Sequence, residues 1–388
     1  MPRNQLHYCA TDKEIYDLLM SGKQRITDAV LHTIARDRGI FFSPKESRET
    51  LVSSLSLLLY GHADLQRLLG QRESPGRAEK LTSLTLKAAL SVEDIRQVCG
   101  DYRDNAPGDE KVTTHQEGTN KYVVKLGYSE LDYSKTRLLQ RRKREAEIEF
   151  LVGAGGTTIR MPATQKAKEV VASIKNALDV QKKAEIPTES IELTDLPTPE
   201  ARTEFFTSLI SGLNGFRLEN VTSIRVDSSL AHHKNDGQGE FDEEDDTDSA
   251  EPVDQSTTEA AEEMLSVVEN VALKGQSLLG SAEYQQLKAK GFYTTNIVWK
   301  SKQTESPSDI LEFEAGFDEP REAKGFKYNV KGVYRYLNGR YTVSLRPLTK
   351  EEKAPLLTLL ERTARQVLAQ LRQSKALDTD KSESKDEA

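Results

Sequence analysis

The sequence predicts an α+β, multi-module protein: an all-α N-terminal module followed by two antiparallel-sheet-plus-helix modules, which an acidic disordered linker separates. Three observations carry that expectation. Apolar residues recur at helical spacing through residues 1–105, with no strand-like alternation. Alternation at period two begins only after a polar stretch that holds Pro107-Gly108. Between Asp236 and Glu263 stand thirteen Asp and Glu residues and no Lys or Arg, a composition too poor in apolar side chains to form a core. The expected divisions are a helical module at 1–105, a linker at 106–118, an α+β domain at 119–227, the acidic linker at 228–263, a second α+β domain at 264–373 and a disordered tail at 374–388.

The helical module is organised around Lys23–Leu58. Val30, Leu31, Ile34 and Ala35 form one apolar stripe, Arg36, Asp37 and Arg38 follow at its end, and Gly39 supplies a left-handed stop. Ile40, Phe41 and Phe42 should pack back into the pair. Ser43-Pro44-Lys45-Glu46 reads as a helix start, with Ser at N-cap, Pro at N1 and Glu at N3. Leu51, Val52 and Leu55 give the second helix its buried face. Helical pattern then continues over His62–Gln71, Ala78–Ala89 and Ser91–Tyr102, the last with Ser91 and Asp94 spaced as a capped start.

Strands are expected at Tyr122–Leu126 and at Glu145–Val152, where Glu145, Glu147 and Glu149 alternate with Ala146, Ile148 and Phe150. Gly153-Ala154-Gly155-Gly156 turns the chain into Thr157–Met161. Pro162-Ala163-Thr164 opens a helix with Ala167, Val170, Val171, Ile174 and Leu178 on one face, and a helix at Pro199–Leu213 and a strand at Phe216–Val226 follow. The last domain should start with a helix through Met264–Leu273, then strands at Phe292–Lys300 and Ile310–Phe317. Asn338-Gly339 marks a type I′ hairpin within Phe326–Leu345, setting Tyr336 opposite Tyr341 and Tyr334 opposite Val343. A helix from Thr349 to Gln373, capped by Thr349 and Glu352, brings Leu356, Leu360, Val367 and Leu371 onto the sheet. Pro162, Thr164 and Lys168 echo Pro347, Thr349 and Lys353, either as a duplicated unit or as one capping chemistry used twice.

Charge and composition narrow the function. The formal charge of −8 becomes +5 once the acidic tract is set aside, so the body is mildly basic. The tract itself reads as a tether, or as a segment that folds back on basic surfaces and competes with phosphate. Cys9 and Cys99 make neither a disulfide framework nor a zinc spacing. There is no signal-peptide core and no apolar run near roughly 18 residues, which points to a cytoplasmic chain without membrane contact. The histidines are scattered, and no Ser or Cys stands in a nucleophile elbow. Gly153–Gly156 lacks the third glycine of a dinucleotide fingerprint and reads as a hairpin turn. Carboxylates crowd together only in the acidic tract, where they cannot be preorganised for acid–base work. The expectation is a non-catalytic protein that uses no cofactor and no metal.

Residues 23–58 resemble the SAP/HeH family of helix–extension–helix nucleic-acid-binding motifs. The shared features are the apolar first helix ending in basic residues and Gly39, the extended turn, the basic start of the second helix at Lys45 and Arg48, and Leu51-Val52 with Leu55. The link is longer than the family pattern, Pro44 stands where a small residue is common, and Thr50 replaces the usual acidic residue. The resemblance implies a phosphate-facing tip on the second helix, where free N–H groups and the positive dipole end attract anions. Arg36, Arg38, Ser43, Lys45 and Arg48 are the nucleic-acid-binding candidates it implies.

Two further basic features stand apart from that motif. Arg141, Arg142, Lys143 and Arg144, preceded by Lys135 and Arg137, sit at the start of a strand and are placed to grip phosphates. The competing reading is a solvated segment balanced by the glutamates after it. In the C-terminal hairpin Tyr334, Tyr336 and Tyr341 interleave with Lys327, Lys331 and Arg335. The tyrosines either stack on bases or form the sheet's core face under the last helix, and the helix's need for an apolar partner favours the core. The combined expectation is a non-catalytic, nucleic-acid-associated protein, DNA the favoured form, whose α+β modules contact partner proteins. The alternative is a protein-interaction scaffold or assembly subunit that never touches nucleic acid.

Overall fold

The structure, a computed structural model, describes residues 10–23, 25–72, 79–108, 110–133, 136–138, 140–228, 270–275, 277–306 and 308–386. The acidic tract from 229 onward, residues 264–269 of the expected helix, and Lys135 lie outside the described residues. Four short helices come first: α1 (Asp12–Ser21), α2 (Asp28–Asp37), α3 (Arg48–Ser56) and α4 (His62–Arg72). Strand β1 (Leu81–Leu86), helix α5 (Val92–Asp104) and strands β2 (Lys111–Glu117), β3 (Lys121–Leu131), β4 (Arg141–Gly153) and β5 (Gly156–Pro162) follow. Next are α6 (Gln165–Lys182), β6 (Thr188–Ser190), α7 (Pro199–Ser211), β7 (Phe216–Ser228) and β8 (Asn270–Lys274). The last elements are α8 (Ala282–Ala289), β9 (Phe292–Gln303), β10 (Ile310–Glu319), β11 (Lys324–Tyr334), the short β12 (Tyr336–Leu337) and β13 (Arg340–Tyr341), and α9 (Lys350–Asp386). The architecture is α+β, with a helical N-terminal segment and antiparallel strands flanked by helices.

The chain forms two compact units. The first comprises Met1–Glu79, Ala89–Thr157 and Thr164–Ile186. Within it α1 to α4 close over Leu18, Leu19, Ile26, Leu31, Leu51, Leu55 and Leu65, as the apolar stripes require. Gly39 takes the left-handed φ of 74° that stops α2. The expected start of the next helix is corrected: Ser47, not Ser43, is the N-cap, its side chain accepting from the Thr50 N–H. Residues 43–46 form a turn instead, closed by Glu46 N–H donating to Ser43 O at 3.0 Å. In the extended link neighbouring side chains point to opposite sides, so Ile40 and Phe42 pack inward while Phe41 stays 80% exposed.

The rest of the first unit is a β2-β3-β4 antiparallel sheet with α5 and α6. The expected linker at 106–118 is partly a strand, β2, registered on β3 from Lys111↔Gly127 to Glu117↔Lys121. No apolar alternation marks it, because its hold on the fold is the backbone ladder of an edge strand. Ser91 and Asp94 make the expected capping box, and Ala167, Val170, Val171, Ile174 and Leu178 are all buried.

The second unit comprises Lys80–Ala88, Thr158–Ala163 and Pro187–Ala388. Its strands lie in the order β5-β1-β11-β10-β9-β7-β8, with β6 paired to β1. Helix α7 packs against β9 and α9, and α9 packs on β11, over a core that includes Trp299 stacked on Phe313 at 5.5 Å. The helix expected at Ala78–Ala89 is corrected to strand β1. Ser83 and Thr85 occupy its buried positions, so polar residues hide its period of two. The helix expected through Leu273 is corrected too: residues 270–274 are β8, paired with β7 from Asp227↔Asn270 to Ser223↔Lys274. The tail expected from 374 is helical as far as Asp386, an extension of a helix already nucleated.

Asn338 and Gly339 have φ of 51° and 82°, as a type I′ turn demands, and Tyr336 pairs with Tyr341. The expected pair of Tyr334 with Val343 does not form. Val333 bridges to Arg346 instead, and Val343 is fully exposed.

Candidate nucleic-acid interface

Arg48, expected at a phosphate-facing tip, turns inward. Its Nη1 pairs with Asp28 Oδ1 at 2.7 Å, and its Nη2 donates to Leu19 O at 2.6 Å and to Ile26 O at 2.8 Å. It satisfies carbonyls near the end of α1 and just before α2, so its charge is spent on holding the helices together. Arg38 is committed as well: it donates to Leu59 O at 3.0 Å, pairs with Asp64 at 3.3 Å and lies 4.2 Å over the Tyr60 ring. Arg36 is exposed and donates to Thr33 Oγ1 at 3.2 Å, and exposed Ser43 accepts from the Lys45 N–H at 3.3 Å. Lys45 is exposed, with Glu49 in the first turn of α3. The tip therefore keeps one of its two expected cations facing solvent.

The same helical segment shows an apolar side. Phe41, Leu57 and Leu59 are 80%, 69% and 94% exposed, and the Arg38–Leu59 hydrogen bond draws Leu59 to the end of α2. A groove of ≈ 230 Å³ lies between α2 and α4, lined by Val30, Ile34, Tyr60 and Leu68 together with the charged Asp37, Arg38, Asp64 and Arg67.

The basic run lies inside β4, where alternation splits it. Arg141 and Lys143 are exposed on one face, opposite Leu131 and Ser129. Arg142 and Arg144 are half-buried on the other, opposite Glu130 and Tyr128. Arg144 pairs with Glu130 at 3.0 Å and with Glu79 at 3.5 Å, so its balance comes from outside the glutamates that follow the run. Arg137 pairs with Glu14.

The tyrosines of the C-terminal hairpin are not the core under the last helix. In β11 Phe326, Tyr328 and Val330 face the core, and simple alternation would send 332 and 334 after them. A bulge intervenes: Glu312 pairs with Gly332 while Phe313 pairs with Val330, so Lys331 is the extra residue. The phase slips by one, Val333 is buried, and Tyr334 emerges on the face away from α7 and α9. Across β7, β9, β10 and β11 the register there is Arg217, Lys302, Ile310 and Tyr334, and the next row is Asn220, Lys300, Glu312 and Gly332.

Lys300 Nζ stands 4.3 Å over the Tyr334 ring, and Lys302 Nζ stands 5.6 Å over Tyr341. Tyr336, 44% exposed, and Tyr341 are 5.0 Å apart at 52°. A hydrogen bond to the Tyr341 hydroxyl raises Lys302 above the ordinary lysine value. The residues expected to form the basic face are ion-paired instead: Lys327 with Asp318, Lys331 with Glu312, and Arg335 with Asp309 and Glu352. The cations beside the rings come from β9, which no reading of the hairpin alone could supply. The two-residue spacing of Lys300 and Lys302 marks a shared face, yet only the sheet order says which rings lie next to it.

Elsewhere, burial pushes the Cys99 thiol up to about 12, which leaves it unreactive. Among the described residues no His, Cys, Asp and Glu side chains gather as a metal-binding group, and no helix is long and apolar enough to cross a membrane. Comparison with protein-family models and with curated proteins gives no match.

Proposed function

We propose that the protein is a non-catalytic, nucleic-acid-associated modular protein. The observation that carries this reading is the pairing of Lys300 with Tyr334 and of Lys302 with Tyr341 on the sheet face opposite the core. Ring faces suit bases and ammonium groups suit phosphates, and here the two are set side by side. Exposed Arg36 and Lys45 in the helical segment, and Arg141 and Lys143 on β4, add positive charge in the first unit. Fluorescence anisotropy of the full chain with labelled oligonucleotides at several salt concentrations tests the reading. Affinity should fall with salt at a log–log slope of about −1.5 to −3, as expected for two to four phosphate contacts. Absence of binding at the lowest salt, or binding indifferent to salt, overturns it.

A second reading rests on Phe41, Leu57 and Leu59, whose exposure suits a protein partner. A partner retained after nuclease treatment and lost with F41S plus L59S would support that contact. A partner lost on nuclease treatment alone would reject it.

A further inference from the structure

We infer that the Tyr334–Tyr336–Tyr341 end of the second unit's sheet, on the face opposite the core, is a binding site for single-stranded nucleic acid. Tyr334, Tyr336 and Tyr341 would stack on bases while Lys300, Lys302 and Arg217 meet the phosphates. The inference rests on the functional reading above and names the form of nucleic acid bound.

The bulge at Lys331 sets the direction of Tyr334. Without the extra residue at Lys331, Tyr334 would share the core face with Tyr328 and Val330. With it, a large aromatic is brought, half-buried, to the face opposite the core, beneath the Lys300 ammonium. The hairpin that carries the neighbouring rings is tied down by hydrogen bonds. Buried Asp309 accepts from the Tyr336 N–H at 2.8 Å and from Arg335 Nη1 at 2.9 Å. The Tyr341 hydroxyl donates to Ser308 O at 3.2 Å. The Tyr336 backbone and the Tyr341 ring are therefore anchored before any ligand arrives, which limits the ordering cost of binding.

Ring faces select the form of nucleic acid. A duplex hides its base faces in the stack and offers phosphates and groove edges, whereas an unpaired strand can lay bases on aromatic side chains. Three strand spacings separate Arg217 from Tyr334, about 14 Å, comparable to the four-stranded sheets on which two or three bases stack. Two carboxylates share the face. Glu312 lies 4.0 Å from Lys300 and 3.3 Å from Lys331, so its charge is compensated locally. Glu219 acts on Lys302 from the neighbouring strand and helps keep it protonated. When a base takes the ring, the lysine above it has a flexible stem long enough to swing to the adjoining phosphate.

The test uses the full chain with a labelled single-stranded oligonucleotide and the matching duplex. Tyr336→Leu and Tyr334→Leu should each weaken single-strand binding about five- to a hundred-fold and leave duplex binding unchanged. Tyr336→Phe, which keeps the ring, should retain affinity, and Lys300→Gln with Lys302→Gln should flatten the salt dependence. Circular dichroism and the thermal midpoint of each variant establish that it is folded. Single strand bound equally well by the folded Leu variants, or duplex preferred to single strand, overturns this assignment alone. No binding of either form overturns the functional reading together with it.

Discussion

Arg160 and Glu361, 201 residues apart in the chain, form a buried two-point ion pair in the second unit, with Nε to Oε1 at 2.6 Å and Nη2 to Oε2 at 3.0 Å. Arg160 Nη2 also donates to Thr358 Oγ1 at 2.9 Å, and the Tyr328 hydroxyl donates to Glu361. Burial, with the Glu361 carboxylate beside it, holds Tyr328 well above the ordinary tyrosine range, so it remains a donor. Arg160→Met should cost about 3–5 kcal/mol, because it strands a carboxylate in the core. Arg160→Met with Glu361→Leu and Tyr328→Phe should recover most of that loss. Urea midpoints of the single and triple variants check this, and a triple variant as weak as the single would refute it.

Arg48 and Lys45 should separate cleanly. Arg48→Met removes three hydrogen bonds and leaves the Leu19 and Ile26 carbonyls without them, at a cost of about 2–3 kcal/mol to the helical segment. Lys45→Glu, at an exposed turn, should shift stability by less than about 0.5 kcal/mol. Chemical denaturation followed by far-UV circular dichroism distinguishes them. Equal effects would contradict the inward placement of Arg48.

Asp94 sets an acid limit on the first unit. The Lys182 ammonium at 2.8 Å, with the Ser91 backbone and hydroxyl, lowers its carboxyl from 3.8 to about 2. A folded value below the unfolded one gives stability that is complete above pH about 4 and lost as pH falls toward about 2. Asp94→Asn should cost about 1 kcal/mol near neutral pH, with the difference from the parent vanishing near pH 2. Thermal midpoints measured across that range decide the matter, since a pH-independent difference is incompatible with linkage through Asp94.

Gly332 lies under the segment that returns toward α9. A Cβ there would come within 2.5 Å of Arg346 O and 2.8 Å of Leu345 Cγ. Gly332→Ala should cost about 1–3 kcal/mol and open the Val333–Arg346 bridge, whose two hydrogen bonds are 2.9 and 3.0 Å. Hydrogen exchange at those two amides should accelerate. Unchanged protection would refute the close approach.

What could be read along the chain was chemistry acting over three or four residues. The Ser91–Asp94 and Thr349–Glu352 caps, the Thr164 cap, the Gly39 stop and the Asn338-Gly339 turn each place donor, acceptor or permissive backbone within one turn of its partner. The buried stripe of α6 was equally visible, because 3.6-residue periodicity is local.

Tertiary structure decided the rest. β1 and β2 carry little apolar alternation and exist because distant strands take up their backbone hydrogen bonds, as in Leu81↔Tyr328 and Val112↔Leu126. Arg48 has the composition of a phosphate contact, but its carbonyl partners are 22 and 29 residues away. Tyr334 has the position of a core residue by parity alone, and one bulged residue against β10 reverses its direction. A side chain's face in a sheet depends on the register with its neighbour, and register is fixed only when the two strands meet.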